Sequence, residues 1–455
     1  MAPTLRLTRL RGGGFRTLWL ATASSNLGDG VTLVAAPLLA ATLTADPAAI
    51  AGLTFAQRLP WLLFPILGGA LADRLDRRRL MVAVALARAA LVAALAAALL
   101  TDRASLPLLY AVFFLLSSGE TLFDTAAATI LPAIVPRVGL PRANARLSAA
   151  LTVTNQFVGP PLGGALFAVA VALPFLVGAG GLAVAAAILL TLRGTFRAPA
   201  EGRIGGAGLR AEVGEGLRWL WGQPTLRTLA LALAALNLTL VAQNAIMVLY
   251  AQQRLGLDAR GFGLLLTTYG LGGIAGGLVA GPISDRFGAG TLLRLALTVE
   301  LLVPAALALT RAPLLAGAIL ALFGCHAIVF GAVLASLRQS LVPDALRGRV
   351  GGAFRFIEEG TAAPGALLGG ALAALAGPTA PFWCGALVGV IVLLWAWPRI
   401  VVGRGSSVVG RRSSVVARWW WRATPINEPC DGLRPTDYGF SLTTHDRRLP
   451  TGRRR

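Results

Sequence analysis

Gly69-Ala-Leu-Ala-Asp73-Arg74-Leu-Asp76-Arg77-Arg78-Arg79 separates two long apolar runs, at about 48–72 and 79–101. A helix needs about 20 apolar residues to cross the hydrocarbon core of a bilayer. A short, densely charged segment between two such runs is therefore the turn of a membrane hairpin. The pattern returns as Gly281-Pro-Ile-Ser-Asp285-Arg286-Phe-Gly288, again between two apolar runs. Outward from these loops, twelve segments are long and apolar enough to span: 17–43, 48–72, 79–101, 105–131, 147–170, 172–192, 225–251, 261–284, 290–310, 312–336, 350–376 and 381–400. The first run follows Arg6 to Arg16, as a signal peptide would. It is long, contains Asp29 and precedes eleven more spans, so it reads as an uncleaved first span.

Composition agrees. Of 455 residues, 56% are hydrophobic and 13% charged, and the mean hydropathy is +0.72. A soluble domain carries about 25% charged residues. The formal charge is +21, and all 41 basic residues are arginine. A basic excess signals nucleic acid when it forms a patch or stripe, but these arginines lie between apolar runs, so no nucleic-acid partner is expected. Arginines near span ends mark the cytoplasmic side. When alternate loops are assigned to opposite faces, one face collects 21 arginines, and the other only Arg103, Arg254, Arg260 and Arg311. Both termini are then cytoplasmic, in a multi-pass protein of the inner (plasma) membrane. Cys325, Cys384 and Cys430 have neither the number nor the spacing for a disulfide framework or a zinc site. No metal and no cofactor are expected.

The chain repeats itself at an offset of 206 to 212 residues. Asp73-Arg74 recurs as Asp285-Arg286, Val135-Pro136 as Val342-Pro343, and Gly163-Gly164-Ala165-Leu166 as Gly369-Gly370-Ala371-Leu372. Six-span halves related by an axis along the membrane normal build alternating-access transporters, with substrate held near the midplane between them. The expected organisation is an all-α integral membrane protein of twelve helices in two pseudo-symmetric six-helix halves. Residues 1–192 form the first half and 225–400 the second. The linker at 193–224 carries Leu209, Val213, Leu217 and Leu220 at helical spacing, as either an interfacial helix or a strap under the bundle. Residues 401–455 change character: Gly403-Arg-Gly-Ser-Ser-Val-Val409 is repeated as Gly410-Arg-Arg-Ser-Ser-Val-Val416, followed by Trp419-Trp420-Trp421 and an Arg- and Pro-rich end. Disorder is expected for this cytoplasmic tail, with leaflet binding through its arginines and tryptophans as the functional alternative.

The stretch from Gly69 to Arg79 resembles the loop signature of the major facilitator superfamily, Gly-x-x-x-Asp-Arg-x-Gly-x-Arg-Arg, with Asp76 in place of the second glycine. Glu120-Thr-Leu-Phe-Asp124, Leu140-Pro-Arg-Ala-Asn144, Gly216-Leu-Arg-Trp-Leu-Trp221 and Leu346-Arg-Gly-Arg349 resemble its enterobactin-exporter and drug-exporter branch. The resemblance covers about 15–400. It implies that Gly69, Asp73, Arg74, Arg77 and Arg78, with Asp285 and Arg286 in the second copy, belong to gating loops that lock the halves in one state. Gly159-Pro160-Pro161-Leu162-Gly163-Gly164 resembles the core of the antiporter signature, with Ala150 where its first glycine would stand. That favours export over uptake.

An ionisable side chain inside a span is costly unless it is paired or lines a wet cavity, which makes it a functional candidate. Glu120 and Asp124, four apart, share one helix face, and two close carboxylates in low dielectric resist joint ionisation. They are candidate proton carriers together with Asp29, for which Arg58 or Arg88 is the candidate counter-ion. Arg58, Asn237, Gln243, Asn244, Arg355, Glu358 and Glu359 are candidate cavity residues. His326 reads as a packed residue without an evident partner. The family's usual arginine in the fourth span is missing.

These features point to a secondary active exporter of small amphiphilic molecules, drugs or siderophores, coupled to protons, in contact with membrane lipids and working as a monomer. Without lysine there is no Gly-x-x-x-x-Gly-Lys-Ser/Thr loop for ATP. Two histidines, at 326 and 445, make no catalytic constellation. Proton symport of a nutrient, or a non-transporting membrane sensor or scaffold, are the alternatives.

Overall fold

The computed structural model describes residues 13–64, 75–194, 196, 206–343 and 346–399, and every regular element among them is helical. The helices are α1 (Gly13–Leu43), α2 (Pro47–Leu63), α3 (Arg77–Leu100), α4 (Leu106–Ile134), α5 (Leu140–Leu151), α6 (Gly159–Val169), α7 (Leu173–Leu190), α8 (Gly206–Trp221), α9 (Pro224–Ala245), α10 (Ala259–Arg286), α11 (Ala289–Leu309), α12 (Pro313–Leu341), α13 (Arg347–Ala376) and α14 (Ala380–Ala396). Their starts follow from local chemistry. Asp46 accepts hydrogen bonds from the Ala48 and Ala49 N–H groups ahead of α2, with Pro47 in its first turn, and Asp258 accepts from Gly261 ahead of α10. Such caps satisfy N–H groups that have no partner within the helix. A π-helical stretch, Thr152–Val158, joins α5 to α6.

Among the described residues eight helices, α1, α3, α4, α7, α9, α10, α11 and α12, are long and apolar enough to cross a membrane. The count becomes nine when α13 and α14, which meet at 118°, are taken as one broken span. The sequence expectation of twelve exceeds this for physical reasons. Helix α2 has 17 residues, the fifth segment is divided by the π stretch, and α13 carries Arg347, Arg349, Arg355, Glu358 and Glu359.

The packing repeats. Helix α1 packs on α6 and α7 as α9 packs on α13 and α14; α3 packs on α7 as α11 packs on α14; α2 packs on α4 as α10 packs on α12. Two further contacts, α2 on α13 and α6 on α10, have the same relation to each other and connect the two groups. The repeated Gly-Gly pair lies at these crossings. Gly163 lies against the Val31 backbone of α1, and Gly369 against the Ala242 backbone of α9. The second glycine of each pair faces the other group, Gly164 against Ala259 of α10 and Gly370 against Ala48 of α2. A Cβ at Gly370 would lie 2.6 Å from that of Ala51 and 2.9 Å from the Ala48 Cα. Backbones approach this closely only where side chains are absent.

One end of the molecule, formed by the turns at 44–46, 101–105, 170–172, 255–258, 310–312 and 377–379, is poor in arginine. The opposite end is rich in it. Both Gly-Gly contacts lie toward the arginine-poor end. At the other end α8 packs on α13. Leu220 is buried, Gly216 rests on the Arg349 carbonyl, and Glu215 pairs with Arg349 at 2.8 Å.

Candidate functional site

Two cavities adjoin each other, the larger between the two groups and the smaller within the first half. The larger, about 340 Å³, is lined by α1, α2, α9, α10, α11 and α12 together with the π stretch and Pro160. Its wall is mostly apolar, through Leu33, Leu53, Met247, Phe262, Leu266 and Phe323, with the amides of Gln57, Asn155, Gln156, Gln243 and Asn244 spaced around it. Among its described lining residues the only charged side chains are Arg58 and Glu300. The smaller cavity, about 200 Å³, is lined by Asp29, Arg58, Trp61, Arg88, Ser117 and Glu120 among others. The two share Leu33, Gln57, Arg58 and Asn155. Asn155 and Gln156 sit on the π stretch, which re-aims side chains relative to a regular α-helix and is frequent at functional sites.

The charged residues of the first half converge. Arg88 pairs with Asp29 at 2.7 Å, and their side chains are 3% and 16% exposed. Ser25 lies 3.5 Å from each of them. Arg88 passes under Gly119, where a Cβ would lie 2.9 Å from its Cγ and Cδ, and its charge also acts on Glu120 and Asp124. One guanidinium thus contacts one carboxyl group and acts through its charge on two more. Arg88, rather than Arg58, is the contact partner of Asp29. Arg58 is exposed to the seam and makes no hydrogen bond or ion pair among the described residues, although it feels the charges of Glu120 and Glu359. Asp124 is exposed and lines neither cavity; it feels Arg355 of α13 across the seam.

The remaining candidates separate. Gln243 and Asn244 line the larger cavity. Asn237 does not: its amide donates to the Glu358 carbonyl at 2.7 Å and to Thr361 at 3.1 Å, tying α9 to α13. Arg355 stacks over Trp61 of α2 with its guanidinium carbon 5.6 Å from the ring centre. Glu358 is exposed, Glu359 is half-buried near Arg58 and Arg355, and none of these three lines either of the two cavities. Gly159 and Gly163 face α1, while Pro160 and Gly164 face Gly263 of α10.

Gly69, Asp73 and Arg74 lie outside the described residues, as does the segment 401–455. Of the same loop, Asp76 caps α3 through the Arg79 N–H at 3.1 Å and accepts from the Phe196 N–H at 2.9 Å. Burial opposes its charge, but these N–H donors and the Arg79 guanidinium hold the carboxyl below the usual carboxylate range. Arg77 donates to the Thr129 carbonyl of α4, and Arg78 to the Leu189 and Leu190 carbonyls that end α7, where a cation is favoured. Asp285 and Arg286 are exposed at the end of α10. Among the described residues no group of three or more His, Cys, Asp or Glu could hold a metal ion.

A pair missed in the sequence lies in the second half. His326 Nε2 is 3.1 Å from Glu300 Oε1, and the imidazole is stacked between Phe323 and Phe330, each ring centre 5.7 Å away. The internal repeat held the signal. Glu300 is 212 residues after Arg88, the offset of Asp285 from Asp73, and His326 is 206 after Glu120, the offset of Gly369 from Gly163.

Residues 4–405 match a family model described as transmembrane secretion effector. The chain is similar to the multidrug efflux pump Tap of Mycolicibacterium fortuitum, 28% identical over 393 residues that cover 83% of this chain and 93% of that pump. The pump of the same name from Mycobacterium tuberculosis (strain ATCC 25618 / H37Rv) is 31% identical over 229 residues, 49% of this chain and 54% of that one. In fold it is similar to the nucleoside transporter NupG, with a TM-score of 0.66, 16% identity and coverage of 85% of this chain and 98% of NupG. A bacterial homologue of the iron transporter ferroportin, in an inward-facing state, gives a TM-score of 0.63 at 16% identity, covering 85% and 97%.

Proposed function

Because this chain belongs to the transmembrane secretion effector family of the major facilitator superfamily, we propose that it is a proton-coupled exporter of small amphiphilic molecules, drugs or siderophores, working by alternating access. It is a multi-pass membrane transporter, not an enzyme. On this reading twelve spans form two six-helix halves, 1–192 and 225–400, joined by the linker at 193–224. The arginine-rich end and both termini face the cytoplasm across the inner membrane, and the monomer carries one pathway. The repeated helix pairings support the two halves, and the arginine asymmetry supports the orientation.

In that orientation the Gly164–Ala259 and Gly370–Ala48 contacts close the outer end. Asp124, Arg355 and Glu358 are exposed, and on this reading water reaches them from the cytoplasm. Substrate arriving from the cytoplasmic leaflet enters the 340 Å³ cavity, whose apolar wall and few polar groups suit an amphiphile. Asp29 has the Arg88 guanidinium as its contact partner, which leaves the carboxyls of Glu120 and Asp124 to release protons to cytoplasmic water and take them up again once the outer end has opened.

One observation carries this reading: Glu120 and the Arg88–Asp29 pair line a cavity that shares Arg58, Gln57 and Asn155 with the larger one. Proton and substrate can then sense each other through a common wall. The test is proton release from inside-out vesicles, followed with a pH-quenched dye as siderophores and lipophilic drugs are added. Dequenching should occur with the native chain and vanish in Glu120→Gln or Asp124→Asn at equal protein level. Silence across the panel, with an imposed gradient confirmed, rejects proton-coupled export.

A further inference from the structure

The charge layout of the larger cavity narrows the ligand. Arg58 on α2 and Glu300 on α11 come from different halves of the chain and are the only charged side chains among its described lining residues. Among the described residues Arg58 makes no hydrogen bond or ion pair, and it is exposed to the cavity space, so its guanidinium is available to an anionic group. Glu300 is held from behind. His326 occupies Oε1, and the stacked rings of Phe323 and Phe330 fix the imidazole. No hydrogen bond engages Oε2 among the described residues. Between the two charges the wall is mostly apolar, with uncharged amides as its other polar groups besides Thr54, Thr239 and Tyr269.

We propose that this cavity binds zwitterionic amphiphiles, with the ligand's carboxylate or other anionic group at Arg58, its ammonium at Glu300 and its apolar body against Met247, Phe262, Leu266 and Phe323. A charged ligand group left unpaired here would remain in a poorly solvated space, so each partner counts more than on a surface. His326 is a positioning residue: it orients Glu300 and does not itself meet the ligand. This inference rests on the export reading for its purpose but not for its test, because equilibrium binding needs neither a gradient nor a direction of transport.

The experiment uses the full chain in lipid nanodiscs and three fluorescent probes with one dansyl body. Nα-dansyl-lysine carries both charges, dansylcadaverine lacks the carboxylate and dansylnorleucine lacks the ammonium. Nα-dansyl-lysine should bind about tenfold tighter than either single-charge probe, the scale of one well-made charged contact. Arg58→Gln should erase its advantage over dansylcadaverine while keeping that over dansylnorleucine. Glu300→Gln should do the reverse. A variant that merely misfolds loses both preferences, so each variant controls for the other. Equal affinities for the three probes, no binding of any of them, or a variant that keeps both preferences overturns the proposal. Failure here with intact substrate-dependent proton release leaves the export reading standing; success here without proton release leaves a binding site without coupling.

Discussion

Arg88 on α3 and Glu300 on α11 occupy equivalent places in the two copies of the repeat, with opposite charge. In the first copy the cation is almost wholly buried, contacts Asp29 and acts on Glu120 and Asp124. In the second the anion leans on an imidazole and opens onto an apolar cavity. The helix pairings around both are the same. Duplication has preserved where a charged side chain enters the bundle, while its sign and partners have diverged, so one copy concentrates carboxyl groups and the other presents a single one. A fixed guanidinium amid three acids is suited to exchanging protons. A lone carboxylate backed by a rigid ring is suited to receiving a ligand.

If the two sites differ in this way, they should respond differently to the loss of one partner. Arg88→Gln leaves Asp29 buried without its counter-charge, an arrangement that costs about 3–5 kcal/mol. A large fall in thermal stability in detergent, partly restored by adding Asp29→Asn, is expected; an unchanged melting temperature would contradict the buried pair. Gly164→Ala pushes a Cβ into the Ala259 carbonyl and toward the Gly263 Cα, which lies 3.1 Å away. Overpacking of this kind costs about 1–3 kcal/mol. Because the strained contact joins the halves, thiol labelling of a cysteine introduced at the arginine-poor end should increase. Gly163→Ala, packed within one half, should destabilise without that bias.

His326→Leu removes the hydrogen bond to Glu300 and should cost about 1–2 kcal/mol. It should leave Glu120-dependent proton release in place, and a loss of that release would merge the two sites into one. Asp76→Ala is expected to have the smallest effect, about 1 kcal/mol for a lost helix cap. The folded protein holds the Asp76 carboxyl below its ordinary value, so the contribution is complete above the unfolded pKa of about 4 and fades as pH falls through the lower folded value. The stability gap between Asp76→Ala and the native chain should stay constant from pH 8 to 6 and shrink below about pH 4.

The family and the helical membrane fold were legible because a span is a local property: about 20 apolar residues declare it, and the loop at Asp76-Arg77-Arg78 declares its turn. The same locality explains why twelve segments are expected where eight or nine of the described helices are long and apolar enough to cross a membrane. A π stretch at Thr152–Val158 or a 118° bend after Ala376 leaves no mark in hydropathy. Within one helix, Glu120 and Asp124 could be placed on a common face from their spacing of four. Asn237 could not be separated from Gln243 and Asn244, since all three are amides on one helix and only the neighbouring α13 determines that Asn237 is already engaged.

Sequence alone therefore settled the membrane class, the repeat and the family, each of which depends on patterns along the chain. The choice of Arg88 over Arg58 for Asp29, the pairing of Glu300 with His326 and the separation of a cavity between the halves from one within the first half were decided by tertiary structure. They depend on which faces of separate helices meet, and hydrophobic periodicity is nearly silent about helix rotation when almost every face is apolar.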